Sequence, residues 1–188
     1  MADKLNRCFG EGNPLYEKYH DSEWGVPVHD DLKLFEMLCL ESAQAGLSWA
    51  IILKKRSGYR KAFYNFNPIQ VSNMEDSELE KLRQNPDIIR NKLKIYAFRT
   101  NAKIFLDIRS EYGSFDKYIW QFTEGKIIKN KWENIKQIPS ETNLSRLISK
   151  DLSKRGMKFV GSKIIYAYLQ AIGIVNDHVK NCWKFSVS

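Results

Sequence analysis

Apolar residues in this 188-residue chain recur three and four positions apart and almost never alternate. Leu34, Phe35, Leu38 and Cys39 fall on one face of a helix, as do Ala97, Ile104, Phe105 and Ile108. Half-buried strands need strict alternation, so the chain is expected to be all-α. Capping residues place the elements. Pro14 opens a first short helix ending near His20. Asp30 or Asp31 caps the second, with Gly46 as its stop. Ser48 caps a third helix carrying Trp49, Ile52, Leu53 and Phe63. Ser72 and Glu75 have capping-box spacing ahead of another short helix. A long helix follows Arg90, Ser114 caps the aromatic segment FDKYIWQF, and residues 124–143 read as a polar, lysine-rich connection. The hairpin GMKFVG joins two last helices over 144–155 and 162–172. No clean linker divides residues 1–188, so a single domain is expected, with room for two helical lobes facing a cleft.

The charge balance narrows the partners. Thirty Lys and Arg stand against 22 Asp and Glu, a net charge of +8. Such an excess suits a polyanion, because each neutralised phosphate releases counterions. An ordinary basic soluble protein has the same balance, and charge alone leaves both open. No apolar run reaches the roughly 18 residues of a membrane span, and the first residues lack the apolar core of a signal peptide. No membrane association and a cytoplasmic location are therefore expected.

Cysteine and histidine are scarce, three of each. Cys8 and His20 lie near one end, His178 and Cys182 near the other. The last two are four apart, which on a helix puts both side chains on one face, as two ligands of a tetrahedral Zn²⁺ require. Spacing alone equally allows a surface histidine beside a small buried cysteine. Cys39 sits in an apolar run and reads as core, and His29 reads as a solvated turn residue.

The segment FEMLCLESAQAGLSW sets Glu41 in an apolar helix with small residues beside it. A glutamate there either lies on a solvated face or is buried and needs a partner. Phe9, Tyr16, Tyr19, Trp24 and Trp49 are near in sequence. Each alone reads as core. Together with one carboxylate they also describe a pocket for a flat cationic base, since aromatic faces stack on such a ring and attract its charge.

The stretches PLYEKYHDSEWGVP, LFEMLCLESAQAGLSWAIILKKR, IIRNKLKI and KFVGSKIIYAYLQAIGIVNDH, with the closing Cys182, resemble 3-methyladenine DNA glycosylase I, a branch of the helix–hairpin–helix glycosylases. The resemblance runs from Cys8 to Cys182. It implies an all-helical glycosylase fold with a helix–hairpin–helix element and one structural Zn²⁺ on Cys8, His20, His178 and Cys182. It makes Glu41 the catalytic, base-recognising glutamate and Tyr16, Tyr19 and Trp49 the pocket aromatics. Phe9 stands near a position where the family often carries tryptophan, in a stretch one residue shorter. Gly46 and Leu47 match the step that faces the gap left by an extruded nucleotide. Gly161 is the one hairpin glycine, and backbone N–H groups at the Ser162 helix start suit a DNA phosphate. Lys154, Arg155, Lys158 and Lys163 would add charge there. Asp87 stands where relatives carry a small residue.

The implied activity is base excision repair: hydrolysis of the N-glycosidic bond of 3-methyladenine in double-stranded DNA by a monomer, releasing the free base without strand cleavage. The base must be flipped out to be reached. Its positive charge already weakens the bond, so selection of the cation matters more than acid catalysis. Asp177, between Asn176 and His178, reads as structural. Two other classes fit parts of the pattern. A non-catalytic zinc-stabilised DNA-binding module would tolerate loss of Glu41. A zinc hydrolase would need an open metal position, which two Cys and two His do not leave.

Overall fold

The computed structural model describes residues 5–186. The order is α1 (Pro14–Ser22), α2 (Asp31–Gln44), α3 (Trp49–Ala62), α4 (Pro68–Ser72), α5 (Asp76–Leu82), α6 (Lys92–Tyr112), α7 (Phe115–Trp120), β1 (Ile128–Lys129), α8 (Asn143–Lys154), α9 (Ser162–Ala171) and β2 (Val175–Asn176). The fold is mostly helical. The departure from an all-α expectation is one parallel pairing of Ile128 with Val175 and Lys129 with Asn176. Two residues per strand leave no room for an alternating pattern, so nothing in the sequence announces it.

Helix α2 runs through the centre, packed by α3, α6, α7 and α9. Every residue from Leu34 to Ala43 is buried. A helix enclosed on all sides loses the one-sided pattern of a surface helix. Asp30 is its cap, its side chain accepting from the Lys33 N–H. The helix stops at Gln44, and Gly46 takes a left-handed φ of +77° that lets the chain turn into α3. Glu36 of α2 is also buried, but Arg56 and Arg60 of α3 both donate to its carboxylate.

Two capping expectations change. Ser72 ends α4, and the capping box sits three residues on, between Glu75 and Glu78. Ser48 precedes α3 without a side-chain cap bond. Residues 124–143 hold β1 and one 3₁₀ turn at Ile135–Gln137. A Cβ on Gly58 of α3 would stand 2.3 Å from the Asp87 carbonyl oxygen, so this loop lies directly on the helix, and nothing in the structure explains the aspartate side chain at 87.

The hairpin between α8 and α9 is held from outside. Asn101 of α6, fully buried, donates to the Lys158 carbonyl at 2.9 Å and accepts from the Lys158 N–H at 2.8 Å. Ser42 of α2 donates to the Phe159 carbonyl at 3.1 Å. These bonds fix Phe159 at φ +55°, a conformation that L side chains seldom adopt.

Beyond α9 the chain turns at Gly173, φ +73°, against the backbone of Val26 and Pro27. A Cβ there would stand 2.3 Å from the Val26 carbonyl carbon. Gly173→Ala is expected to destabilise the fold by more than about 1 kcal/mol, since strained conformation and overlap act together. Urea denaturation against the parent protein checks it.

Candidate functional site

The carboxylate of Glu41 faces a cavity of about 280 Å³ whose walls include Phe9, Tyr16, Tyr19, Trp24 and Trp49. Helix α1 carries Tyr16 and Tyr19 against the end of α2 because Asn13 caps it and Pro14 opens it. Trp49, the first residue of α3, closes the cavity from the far side of the Gly46 turn, 5.2 Å from the Tyr19 ring. Phe9 lies 5.0 Å from the Tyr16 ring and 4.9 Å from the Trp24 ring, so the shortened stretch still delivers an aromatic to the wall. Ile135 and Ile138 close it from the 124–143 connection, and Gln44, Ala167 and Gln170 complete it. The five aromatics and Glu41 that the sequence singled out meet in one place.

Glu41 is only 3% exposed. That rules out a solvated helix face. Unlike Glu36, it has no cation: among the described residues its Oε2 has no hydrogen-bond partner, and neither does Trp49 Nε1. Buried polar atoms are nearly always paired. An orphan acceptor and an orphan donor in the same aromatic cavity describe a place shaped for a ligand with both. Burial pushes the Glu41 pKa up to about 8 from an ordinary value near 4.5. Alone, the carboxyl holds its proton near neutrality. A cation entering the cavity would restore the carboxylate.

A groove of about 350 Å³ adjoins the cavity and shares Gln44, Ile138, Ala167 and Gln170 with it. Gly46, Leu47 and Lys163 line this groove, and Leu47 is exposed. Lys158, Gly161 and Ser162 lie at the hairpin and the start of α9. Lys154, Lys158 and Lys163 are exposed. Arg155 is not free as the sequence suggested, for it pairs with Glu111 and Asp151. The Ser162 hydroxyl donates to Glu141, so a carboxylate already stands beside the start of α9.

One positioning residue escaped the sequence reading. Lys94 of α6 is buried, and its ammonium donates to the Ala43 carbonyl at 2.8 Å and the Ala45 carbonyl at 2.6 Å. It thereby satisfies carbonyls at the end of α2 and holds the turn that presents Gly46 and Leu47. Burial lowers its pKa. A lysine in an apolar face was the available signal, but its target lies 49 residues away in sequence.

The chain ends meet behind the cavity. Cys8, His20, His178 and Cys182 bring their ligand atoms within 4.8 Å of one another, a group that could hold a metal ion. His178 Nδ1 is 3.5 Å from both sulfurs, and His20 Nε2 is 3.4 Å from Cys182 Sγ. The other ring nitrogens are engaged outward, His20 Nδ1 with Asp21 and His178 Nε2 with the Trp24 carbonyl. Those bonds place the ring protons outside and leave a lone pair of each imidazole facing inward. Hydrogen bonding from Cys8 holds the Cys182 thiol toward its thiolate. Cys39 is core, and His29 is exposed, stacked on Trp120 and bonded to Asp116.

The profile of the methyladenine glycosylase family matches residues 9–185. The chain belongs to that family. It is 45% identical to DNA-3-methyladenine glycosylase 1 of Escherichia coli (strain K12), over 95% of this chain and 96% of the other. The Staphylococcus aureus 3-methyladenine DNA glycosylase I, solved to define its recognition of 3-methyladenine, superposes with a TM-score of 0.92 at 37% identity, covering 95% of this chain and 96% of that one. A variant glycosylase I crystallised in complex with 3-methyladenine gives the same score and identity over 95% and 97% of the two chains.

The buried carboxyl makes stability depend on pH. Below about pH 4.5 it is neutral folded and unfolded, so nothing is lost. As pH rises toward 8 the unfolded chain releases this proton and the folded one keeps it, so the fold weakens. Glu41→Gln is expected to be more stable than the parent by on the order of a few kcal/mol near pH 8, with the gain vanishing below about pH 4.5. Thermal denaturation across that range checks it.

Proposed function

We propose that this protein is a monofunctional DNA repair glycosylase that removes 3-methyladenine from alkylated double-stranded DNA. The observation that carries the reading is Glu41, buried among aromatic rings with its Oε2 unpartnered among the described residues. Methylation at N3 makes adenine a cation whose departure as a neutral base relieves the charge. A carboxylate accepts hydrogen bonds from the base edge and favours the cation, and the rings of Tyr16, Tyr19, Trp49 and Phe9 stack on it and exclude water. The cavity admits one base and no duplex, so the nucleotide must be flipped. Leu47, exposed at the turn held by Lys94, fills the gap left behind. The exposed Lys158 and Lys163, with N–H groups at Gly161 and Ser162, take backbone phosphates. No lysine lines the cavity among the described residues.

For the metal the reading is one structural Zn²⁺ on Cys8, His20, His178 and Cys182. Tetrahedral zinc with ordinary bond lengths sets sulfur and nitrogen roughly 3.5 Å apart. Three of the four sulfur–nitrogen separations here are 3.4–3.5 Å. Two thiolates and two imidazoles leave no open position for a substrate, so the ion ties the chain ends and takes no part in hydrolysis. Among the described residues no helix is long and apolar enough to cross a membrane.

The deciding experiment is release of free base from methylated duplex DNA. The parent protein is expected to liberate 3-methyladenine and leave the strand intact. Glu41→Gln is expected to bind free 3-methyladenine about 10- to 100-fold more weakly, as for loss of a hydrogen bond to an ionised group. Equal affinities in two folded proteins, by calorimetric titration, would place the base elsewhere. Elemental analysis of protein purified without chelator should find one zinc per chain, and its removal should lower the melting temperature.

A further inference from the structure

Asp177 is fully buried and precedes the cluster residue His178, but its carboxylate serves another network. Its Oδ1 accepts from Asn130 Nδ2 and Trp132 Nε1, both at 2.7 Å. Its Oδ2 accepts from the Tyr166 hydroxyl at 2.6 Å and from Gln170 Nε2 at 2.7 Å. A carboxylate only accepts, so the end of the Gln170 amide that meets it must be the NH₂. That settles the orientation of the amide. The carbonyl Oε1 is left as the unengaged end, with no hydrogen bond to it among the described residues. Gln170 lines both the aromatic cavity and the groove beneath Gly46 and Leu47. With the base in the cavity and Leu47 in the duplex, the deoxyribose joining them must lie where the two meet.

We propose that Gln170 is a further catalytic residue, whose carbonyl oxygen accepts a hydrogen bond from the water that attacks C1′, and that Asp177 is the positioning residue that fixes its amide. This rests on the glycosylase reading above. The C1′–N9 bond breaks and its electron pair leaves with N9, so the methylated base departs neutral and the sugar carries the positive charge. A lone pair of the water forms the new C1′–O bond, and its proton passes to solvent. A glutamine carbonyl is no base at neutral pH. It orients the water and stabilises the charge that develops on it.

The test uses Gln170→Met, which keeps length and removes the acceptor, and Asp177→Asn, whose amide no longer dictates which end of Gln170 it meets. Single-turnover excision from a methylated duplex, calorimetric affinity for free 3-methyladenine, metal content and melting temperature are read together. Each variant is expected to excise about tenfold more slowly, with free-base and duplex affinity within about twofold of the parent. The double variant should be no slower than the singles, because both remove one device. A parental rate in Gln170→Met overturns the proposal. So does a free-base affinity that falls in step with the rate, which would make Gln170 a base contact. If Asp177→Asn loses metal or melts early, Gln170→Met decides alone. A parent protein that releases no 3-methyladenine overturns the glycosylase reading itself, and the inference with it.

Discussion

Helix α2 has no solvent face from Leu34 to Ala43, and the rest of the molecule is arranged around that constraint. Enclosing a helix on every side takes α3, α6, α7 and α9 together, so none of these can be moved without opening the core. The same helix carries two glutamates inward. Glu36 meets two arginines, as a buried charge ordinarily must. Glu41, five residues on, meets none among the described residues. Charge compensation at one position and its omission at the other separate a structural ion pair from the carboxyl that faces the aromatic cavity. The omission weakens the free fold, which is how functional sites commonly depart from stability.

The walls of that cavity come from distant parts of the chain, and the cluster of Cys8, His20, His178 and Cys182 explains how they stay together. Phe9 is adjacent to one cluster residue, and Tyr19 to another. Trp24 offers its carbonyl to His178 and its ring to Phe9. Tying the two ends of the chain therefore sets half of the aromatic wall against the helix that bears Glu41. A group that could hold a metal ion thus stands directly behind the aromatic wall.

The face proposed to meet DNA is held by groups that never reach its surface. Lys94 holds the Gly46–Leu47 turn, and Asn101 and Ser42 hold the hairpin through its backbone. Two of the three lie on α6 and the third is next to Glu41, so the Gly46–Leu47 turn, the hairpin and the aromatic cavity refer to a common frame. Buried hydrogen bonds to backbone atoms give that frame its stiffness.

Local chemistry made much of this legible in the sequence. Helical spacing, the caps at Asp30 and Ser114 and the turn at Gly46 are properties of neighbouring residues, and they place the main helices correctly. The scarcity of cysteine and histidine, with two of each near the chain ends, marked the cluster. Glu41 among apolar residues posed the right question. Only the tertiary structure could answer it, because whether a helical glutamate is solvated, paired or orphaned depends on what other segments bring to it, and here Glu36 and Glu41 differ by the reach of two arginines on α3. The loss of Arg155 to Glu111 and Asp151, the capture of Lys94 by two carbonyls and the pinning of Gln170 by Asp177 were hidden for the same reason. Periodicity and capping act over a few residues. Pairing between residues far apart in the chain is decided by packing, which leaves no mark on the sequence near either partner.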